Sequence, residues 1–208
     1  MSLFAHLAIE PTHQVVYPGA VLMRGLALEE DAKLFAALER VMEADPLRPA
    51  ATPTGLPMQV LVTGCGARRS SPNRWNATES PRPKPPMPDE LLQFAVQAAM
   101  RAGFPRFRPD ACHVNRYQAG VKLGLHQDRH ECDLDEPIVS VSLGLECVFQ
   151  LGGIERTDPI KRILLEHGDV IVWGGPSRLR YHGVLPLKPG SHPLTGPYRY
   201  NMTFRKVN

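Results

Sequence analysis

Cysteine is scarce in this chain and spaced for no structural role. Four thiols, Cys65, Cys112, Cys132 and Cys147, occur in 208 residues. They form no Cys-x-x-Cys pair and no zinc-like spacing, so neither a disulfide framework nor a structural zinc is indicated, and the thiols are expected to be reduced. No apolar run approaches the roughly 20 residues that a membrane-spanning helix needs. The N-terminal Met-Ser-Leu-Phe-Ala-His-Leu also lacks the charged start and apolar stretch of a secretory signal, which makes the cytoplasm the expected compartment. Charge of one sign is nearly absent in excess. The formal net charge is only +3, which gives no more than a slight lean toward nucleic acid. There is no internal repeat, no composition break and no heptad or exposed apolar stripe, so residues 1–208 are expected to form one domain and a monomer.

What is present divides into a helical first half and a strand-rich second half, with a boundary expected near residues 110–111. From Glu29 to Ala44, Leu34, Leu38 and Val41 recur at helical spacing behind an acidic first turn, with Pro46 beyond the end. A second helix follows Pro88, where Leu91, Leu92, Ala95, Ala98 and Ala99 make an apolar stripe and Gly103 supplies the stop. A short strand is predicted for Met58–Thr63. The stretch 64–87 is unpatterned and rich in Arg, Ser, Asn and Pro, as a functional lid or a disordered loop would be. It carries Arg68, Arg69, Arg74, Arg82 and Lys84, a cluster that suits either phosphate or solvent, and Trp75 is its one aromatic residue.

From Ala111 onward the pattern is that of strands. Apolar Val139, Val141, Leu143, Leu145, Cys147 and Phe149 alternate with mostly polar neighbours, which predicts one long, half-buried strand. Further strands are predicted at Ile160–Leu165, Asp169–Trp173, Leu179–Val184 and Tyr198–Lys206. Many short strands separated by Gly, Pro and Asp turns read as a mainly β, α+β architecture: a double-sheet jelly roll with the two helices packed on the outer face of one sheet.

His126 and Asp128, two residues apart, share one face if their segment is extended, and His182 could join them from a distant strand. Two imidazoles and one carboxylate are the ligand set of non-haem Fe(II) sites that keep positions open for oxygen and a co-substrate. Alone the pattern is common by chance, and His113, His130, His167 and His192 are spare imidazoles. In the last strand, Arg199, Asn201, Thr203 and Arg205 fall on one face and Tyr200, Met202 and Phe204 on the other. An inward arginine pair would require an anion, and a guanidinium binds a carboxylate through two parallel bonds. Periodicity does not say which face looks inward.

Several ordered segments then carry a resemblance. Cys-His-Val-Asn-Arg-Tyr (112–117), Leu-His-Gln-Asp (125–128), Ile-Val-Ser-Val-Ser-Leu-Gly-Leu (138–145), Glu-His-Gly-Asp-Val (166–170), Trp-Gly-Gly (173–175), Tyr-His-Gly (181–183) and Arg-Tyr-Asn-Met-Thr-Phe-Arg (199–205) resemble the bacterial AlkB alkylation-damage dioxygenases. The match covers about the last hundred residues in order and extends more loosely back to Gly19.

The resemblance implies a double-stranded β-helix over about residues 111–208, with helices, short strands and a nucleotide-recognition lid before it. It implies Fe(II) held by His126, Asp128 and His182, with 2-oxoglutarate and O2 as co-substrates. Arg199 falls on the residue that pairs with the distal carboxylate, Arg205 on the second arginine of the motif, and Asn115, Tyr117 and Asn201 on co-substrate hydrogen-bonding positions. Trp173 matches a tryptophan near the site, as base platform or as core. Glu131 matches a position close to the base, Arg156 a phosphate or base contact, and Trp75 is the lid's candidate stacking face. His130 stands where an Asp is usual. The implied activity is oxidative demethylation of 1-methyladenine and 3-methylcytosine in DNA, preferably single-stranded, releasing formaldehyde, succinate and CO2. RNA, a base flipped from a duplex, modified tRNA or a non-nucleic substrate stand as alternatives within the same chemistry. A binder of damaged DNA, a sensor of iron, oxygen or 2-oxoglutarate, and a zinc hydrolase are readings of other classes. A methyl on a Watson–Crick nitrogen is unreachable inside a duplex, so the nucleotide must be unpaired or extruded.

Overall fold

The helices form where the apolar stripes predict them. In the computed structural model, which describes residues 12–51, 55–67, 83–129, 131 and 133–208, α1 spans Asp31–Ala44 and buries Leu34, Ala37, Leu38 and Val41. α2 spans Asp89–Arg101 and buries Leu91, Phe94, Ala95, Ala98 and Ala99. Its stop is Gly103, whose φ of 95° suits glycine and few other residues. Trp75, His130, Cys132 and the lid arginines Arg68, Arg69, Arg74 and Arg82 lie outside the described residues.

Twelve strands among the described residues make two antiparallel sheets. The larger runs β1 (His13–Tyr17), β2 (Ala20–Met23), β10 (Val170–Trp173), β7 (Ile138–Gly144), β12 (Arg199–Arg205), β5 (Ala111–Tyr117), β4 (Pro57–Gly66) and β3 (Arg48–Ala51). The smaller runs β6 (Leu123–His126), β11 (His182–Val184), β8 (Cys147–Leu151) and β9 (Lys161–Leu165). Residues before Ala111 extend the large sheet on both flanks, through β2 beside β10 and β4 beside β5. Two apolar layers result. One packs α1 and α2 against Val139, Val141, Leu143, Met202 and Phe204 on the outer face of the large sheet. The other lies between the sheets and contains Leu22, Tyr117, Ile138, Phe149, Ile171 and Trp173.

Two strand expectations are corrected. The stretch Val139–Gln150 is two strands in different sheets, because Gly144 adopts φ 91° and turns the chain between β7 and β8. β7 is buried on both faces, so its serines do not face water. The segment Leu179–Val184 is a strand only at His182–Val184, since Arg178 and Leu179 are still in the turn that follows β10.

Gly144 is held by contact as well as by conformation. A Cβ there would meet Thr195 Oγ1 at 2.2 Å and the Tyr198 carbonyl at 2.3 Å, whereas one at Gly120, with φ 80°, would meet nothing within 4 Å. Gly120→Ala is therefore expected to lose about 1–2 kcal/mol, the cost of left-handed backbone. Gly144→Ala should lose clearly more by urea denaturation, and equal losses would show that the Thr195 contact costs nothing.

Candidate metal and co-substrate site

The floor of the site is the inner face of the large sheet, and strand register builds it. β12 pairs Arg199 with Tyr117 and Asn201 with Asn115 on one side. On its other side it pairs Asn201 with Ser142 and Thr203 with Ser140. Because side chains alternate across a strand, these polar residues converge between the sheets while Tyr200, Met202 and Phe204 join the helix layer. A small cavity is lined by residues of both sheets, among them Asn115, Tyr117, His126, Asp128, His182 and Arg199.

The second sheet supplies the imidazoles. His126 ends β6 and is the cross-strand partner of His182 at the start of β11, which brings their ring centroids to 4.4 Å. Asp128 lies just past the end of β6, and its carboxylate stands 3.8 Å from His126 Nε2 and 3.5 Å from His182 Nε2. One ligand atom from each of the three residues falls within 4.8 Å of the others. His126 Nδ1 donates to the Gly124 carbonyl at 3.0 Å and His182 Nδ1 to that of Arg180 at 3.1 Å. A carbonyl only accepts, so each ring carries a proton on Nδ1, which leaves Nε2 as the nitrogen turned toward the ligand group and able to coordinate a metal. Burial and the neighbouring His182 push the His126 pKa down to about 4, so this ring is neutral at physiological pH. Burial would raise the Asp128 carboxyl, but Arg205 and the two imidazoles hold it well below the usual carboxylate range.

The arginines divide into two kinds. Arg205 is paired: its Nη2 lies 2.6 Å from Asp128 Oδ2 and its Nη1 lies 3.1 Å from Glu131 Oε1. Arg199, 1% exposed, is not. Its Nη2 donates to Ser142 Oγ at 3.0 Å and its guanidinium lies over the Tyr117 ring at 5.4 Å, while Nε and Nη1 have no acceptor. A dry guanidinium with two empty donors is costly until a carboxylate fills them. The donor set thus fits a divalent ion at one end of the cavity and a carboxylate at the other.

Other expected residues are distributed more widely. Asn115 lines the cavity. Asn201 does too, but its Nδ2 donates to Ser140 Oγ at 2.7 Å and its Oδ1 accepts from Thr203 Oγ1 at 3.2 Å. Trp173 forms a wall, its ring 5.1 Å from His182 and 6.1 Å from Phe149. Glu131 is buried and engaged by two arginines. Arg156 is exposed, donates to the Leu125 carbonyl at 2.9 Å and leans toward Tyr181. The spare His167 and His192 stack at 4.0 Å outside the ligand group. Sequence reasoning missed Ser140, Ser142 and Gln127, whose Nε2 donates to the Leu179 carbonyl at 2.6 Å. The serines alternate with the apolar residues of β7, a signal that was visible but assigned to the solvent side.

Comparison with known proteins agrees with this geometry. Residues 19–205 match the model of the 2OG-Fe(II) oxygenase superfamily. The chain is 49% identical to the alpha-ketoglutarate-dependent dioxygenase AlkB of Salmonella typhimurium and 48% identical to that of Escherichia coli, in each case over all of this chain and 98% of the relative. The solved structure of OsALKBH1 superposes with a TM-score of 0.78 at 27% identity, covering 92% of this chain and 100% of that one. Ligand geometry, fold and full-length similarity converge, and the chain belongs to the 2OG-Fe(II) oxygenase superfamily.

Proposed function

We propose that this dioxygenase removes methyl groups from alkylated bases in nucleic acid, with 1-methyladenine and 3-methylcytosine in single-stranded DNA as its substrates. The observation that carries the reading is the pairing, in one cavity, of three convergent ligand atoms with the two empty donors of Arg199. That arrangement suits a dicarboxylate that chelates a metal through one end and meets an arginine at the other. The similarity to AlkB along the whole chain supports the choice of nucleic acid. RNA is the second substrate class that the same site would serve.

In this reading His126, Asp128 and His182 would hold iron(II), one ligand atom from each. When bound, the iron would supply oxidation of the methyl carbon, coupled to conversion of 2-oxoglutarate and O2 to succinate and CO2. Arg199 anchors the distal carboxylate, with Ser142 fixing the guanidinium plane. Arg205 keeps Asp128 ionised and turned toward the imidazoles. Tyr117, whose phenol is pushed up by burial, stays protonated and can donate to the co-substrate, as can Asn115. Trp173 and Phe149 wall the His182 side with apolar surface and so limit water there. The 1–208 chain acts as one catalytic domain, with the part of 64–87 that follows β4 as a lid over the base and Arg156 at the rim for a phosphate. The hydroxylated methyl leaves as formaldehyde.

We further infer a monomer working in the cytoplasm. Among the described residues Cys65, Cys112 and Cys147 are free and buried, and no helix is long and apolar enough to cross a membrane. Sedimentation at micromolar concentration is expected to give a single species of one chain.

Anaerobic loading with Fe(II), followed by oxygen, 2-oxoglutarate and a single-stranded oligonucleotide carrying 1-methyladenine, should release one formaldehyde per methyl lost by base mass. Succinate without demethylation would move the search to other substrates. His126→Ala should abolish this turnover while circular dichroism shows the fold retained. Arg199→Ala should raise the KM for 2-oxoglutarate about 10- to 100-fold, from a charge-assisted contact of about 1.5–3 kcal/mol. An unchanged KM would remove Arg199 from the co-substrate.

A further inference from the structure

Arg178 is the best-connected side chain near the site that neither the metal nor the co-substrate requires. It leaves the short 3-10 turn Gly175–Ser177 that follows β10, and it is 2% exposed. Its Nε donates to the Glu136 carbonyl at 2.9 Å, its Nη1 to the carbonyl of Asp128, and its Nη2 to Glu131 Oε2 at 3.1 Å. All three acceptors belong to the segment after β6, whose described residues up to Pro137 contain no helix or strand. That segment carries Asp128, so a ligand that no sheet register holds is fixed by a guanidinium instead.

Glu131 carries the contact onward. Its side chain is 0% exposed, with Arg178 on Oε2 and Arg205 on Oε1, each at 3.1 Å. Arg205 in turn reaches the Asp128 carboxylate. Asp128 is thereby gripped at both ends, its carbonyl by Arg178 and its carboxylate by Arg205, with Glu131 bridging the two guanidinium groups. The turn that carries Arg178 also leads into His182, and Gln127 adds a second tie by donating to the Leu179 carbonyl. One buried cluster therefore couples the loop of one ligand to the approach of another.

We propose that Arg178 is a positioning residue for the metal site and that Glu131 belongs to the same network rather than to the base-binding surface. The proposal rests on Asp128 being a metal ligand. Residues that orient metal ligands change affinity by about 10- to 100-fold when altered, and lysine cannot reproduce a planar fork that reaches three acceptors.

Cobalt(II) provides a readout independent of turnover, because its visible absorption reports ligand geometry. Its Kd and spectrum would be measured anaerobically for wild type, Arg178→Lys, Glu131→Gln and His126→Ala, at a temperature well below each metal-free thermal midpoint. Arg178→Lys and Glu131→Gln are expected to weaken cobalt binding about 10- to 100-fold and to shift its visible bands. The double variant Arg178→Met with Glu131→Gln removes one buried charge of each sign, and it should weaken binding similarly even if a single variant fails to fold. The proposal is overturned if Arg178→Lys lowers the thermal midpoint but keeps the wild-type Kd and spectrum, or if the double variant binds as wild type does. It is equally overturned if Glu131→Gln raises only the KM for methylated oligonucleotide. Wild-type binding no tighter than that of His126→Ala would overturn the metal assignment itself, an outcome distinct from the others.

Discussion

A guanidinium group taken out of water has to be matched by negative charge, and three of them crowd the site: Arg178 and Arg199 are buried, and Arg205, largely covered, lies against Asp128. Arg178 and Arg205 find their anions within the protein, in Glu131 and Asp128. The four charges cancel, which makes the cluster affordable in a dry interior. Arg199 has a serine hydroxyl and the face of a tyrosine ring but no carboxylate. The asymmetry divides the labour: the matched charges hold the ligand loop still, and the unmatched one is left to recruit. A divalent ion and a dianionic 2-oxoglutarate would enter as a neutral pair, so loading the site adds no net charge to it.

The imidazoles obey a related constraint. A histidine can offer a metal only the nitrogen that carries no proton, and in both rings a backbone carbonyl two residues earlier in the chain claims the proton on the other nitrogen. That local geometry comes free with a chain entering or leaving a strand. Asp128 lacks such help from regular structure, which is why side chains from β12 and from the turn after β10 have to hold it.

The two helices were legible because burial on one side of a helix leaves a periodic stripe, and Leu34, Leu38 and Val41 follow it directly. The alternation of β12 was equally legible, but its direction was not: a strand between two layers reads the same whichever face is polar. The arginine face proved to be the inner one only through the packing of Met202 and Phe204 under the helices. Ser140 and Ser142 were misjudged for the same reason, since a buried polar face mimics a solvent face. The break at Gly144 was hidden because apolar alternation continues across it, and glycine is required there by the left-handed φ together with the crowding by Thr195 and Tyr198. Arg178 left no pattern at all, because its acceptors are two carbonyls and one carboxylate from a segment without periodicity.

The site and the fold finally share a single geometric requirement, the register of β12 between β5 and β7. Both neighbours fix it, Arg199 opposite Tyr117 on one side and Asn201 opposite Ser142 on the other. A slip of one residue would send Arg199, Asn201, Thr203 and Arg205 into the helix layer and turn Tyr200, Met202 and Phe204 into the cavity. Charges would then sit against Leu38 and Phe94, and Asp128 would lose the cation that keeps it ionised. The apolar half of the strand therefore specifies the position of the polar half. The energy that α1 and α2 gain by covering Met202 and Phe204 is what holds the arginines on the side where an anion can reach them.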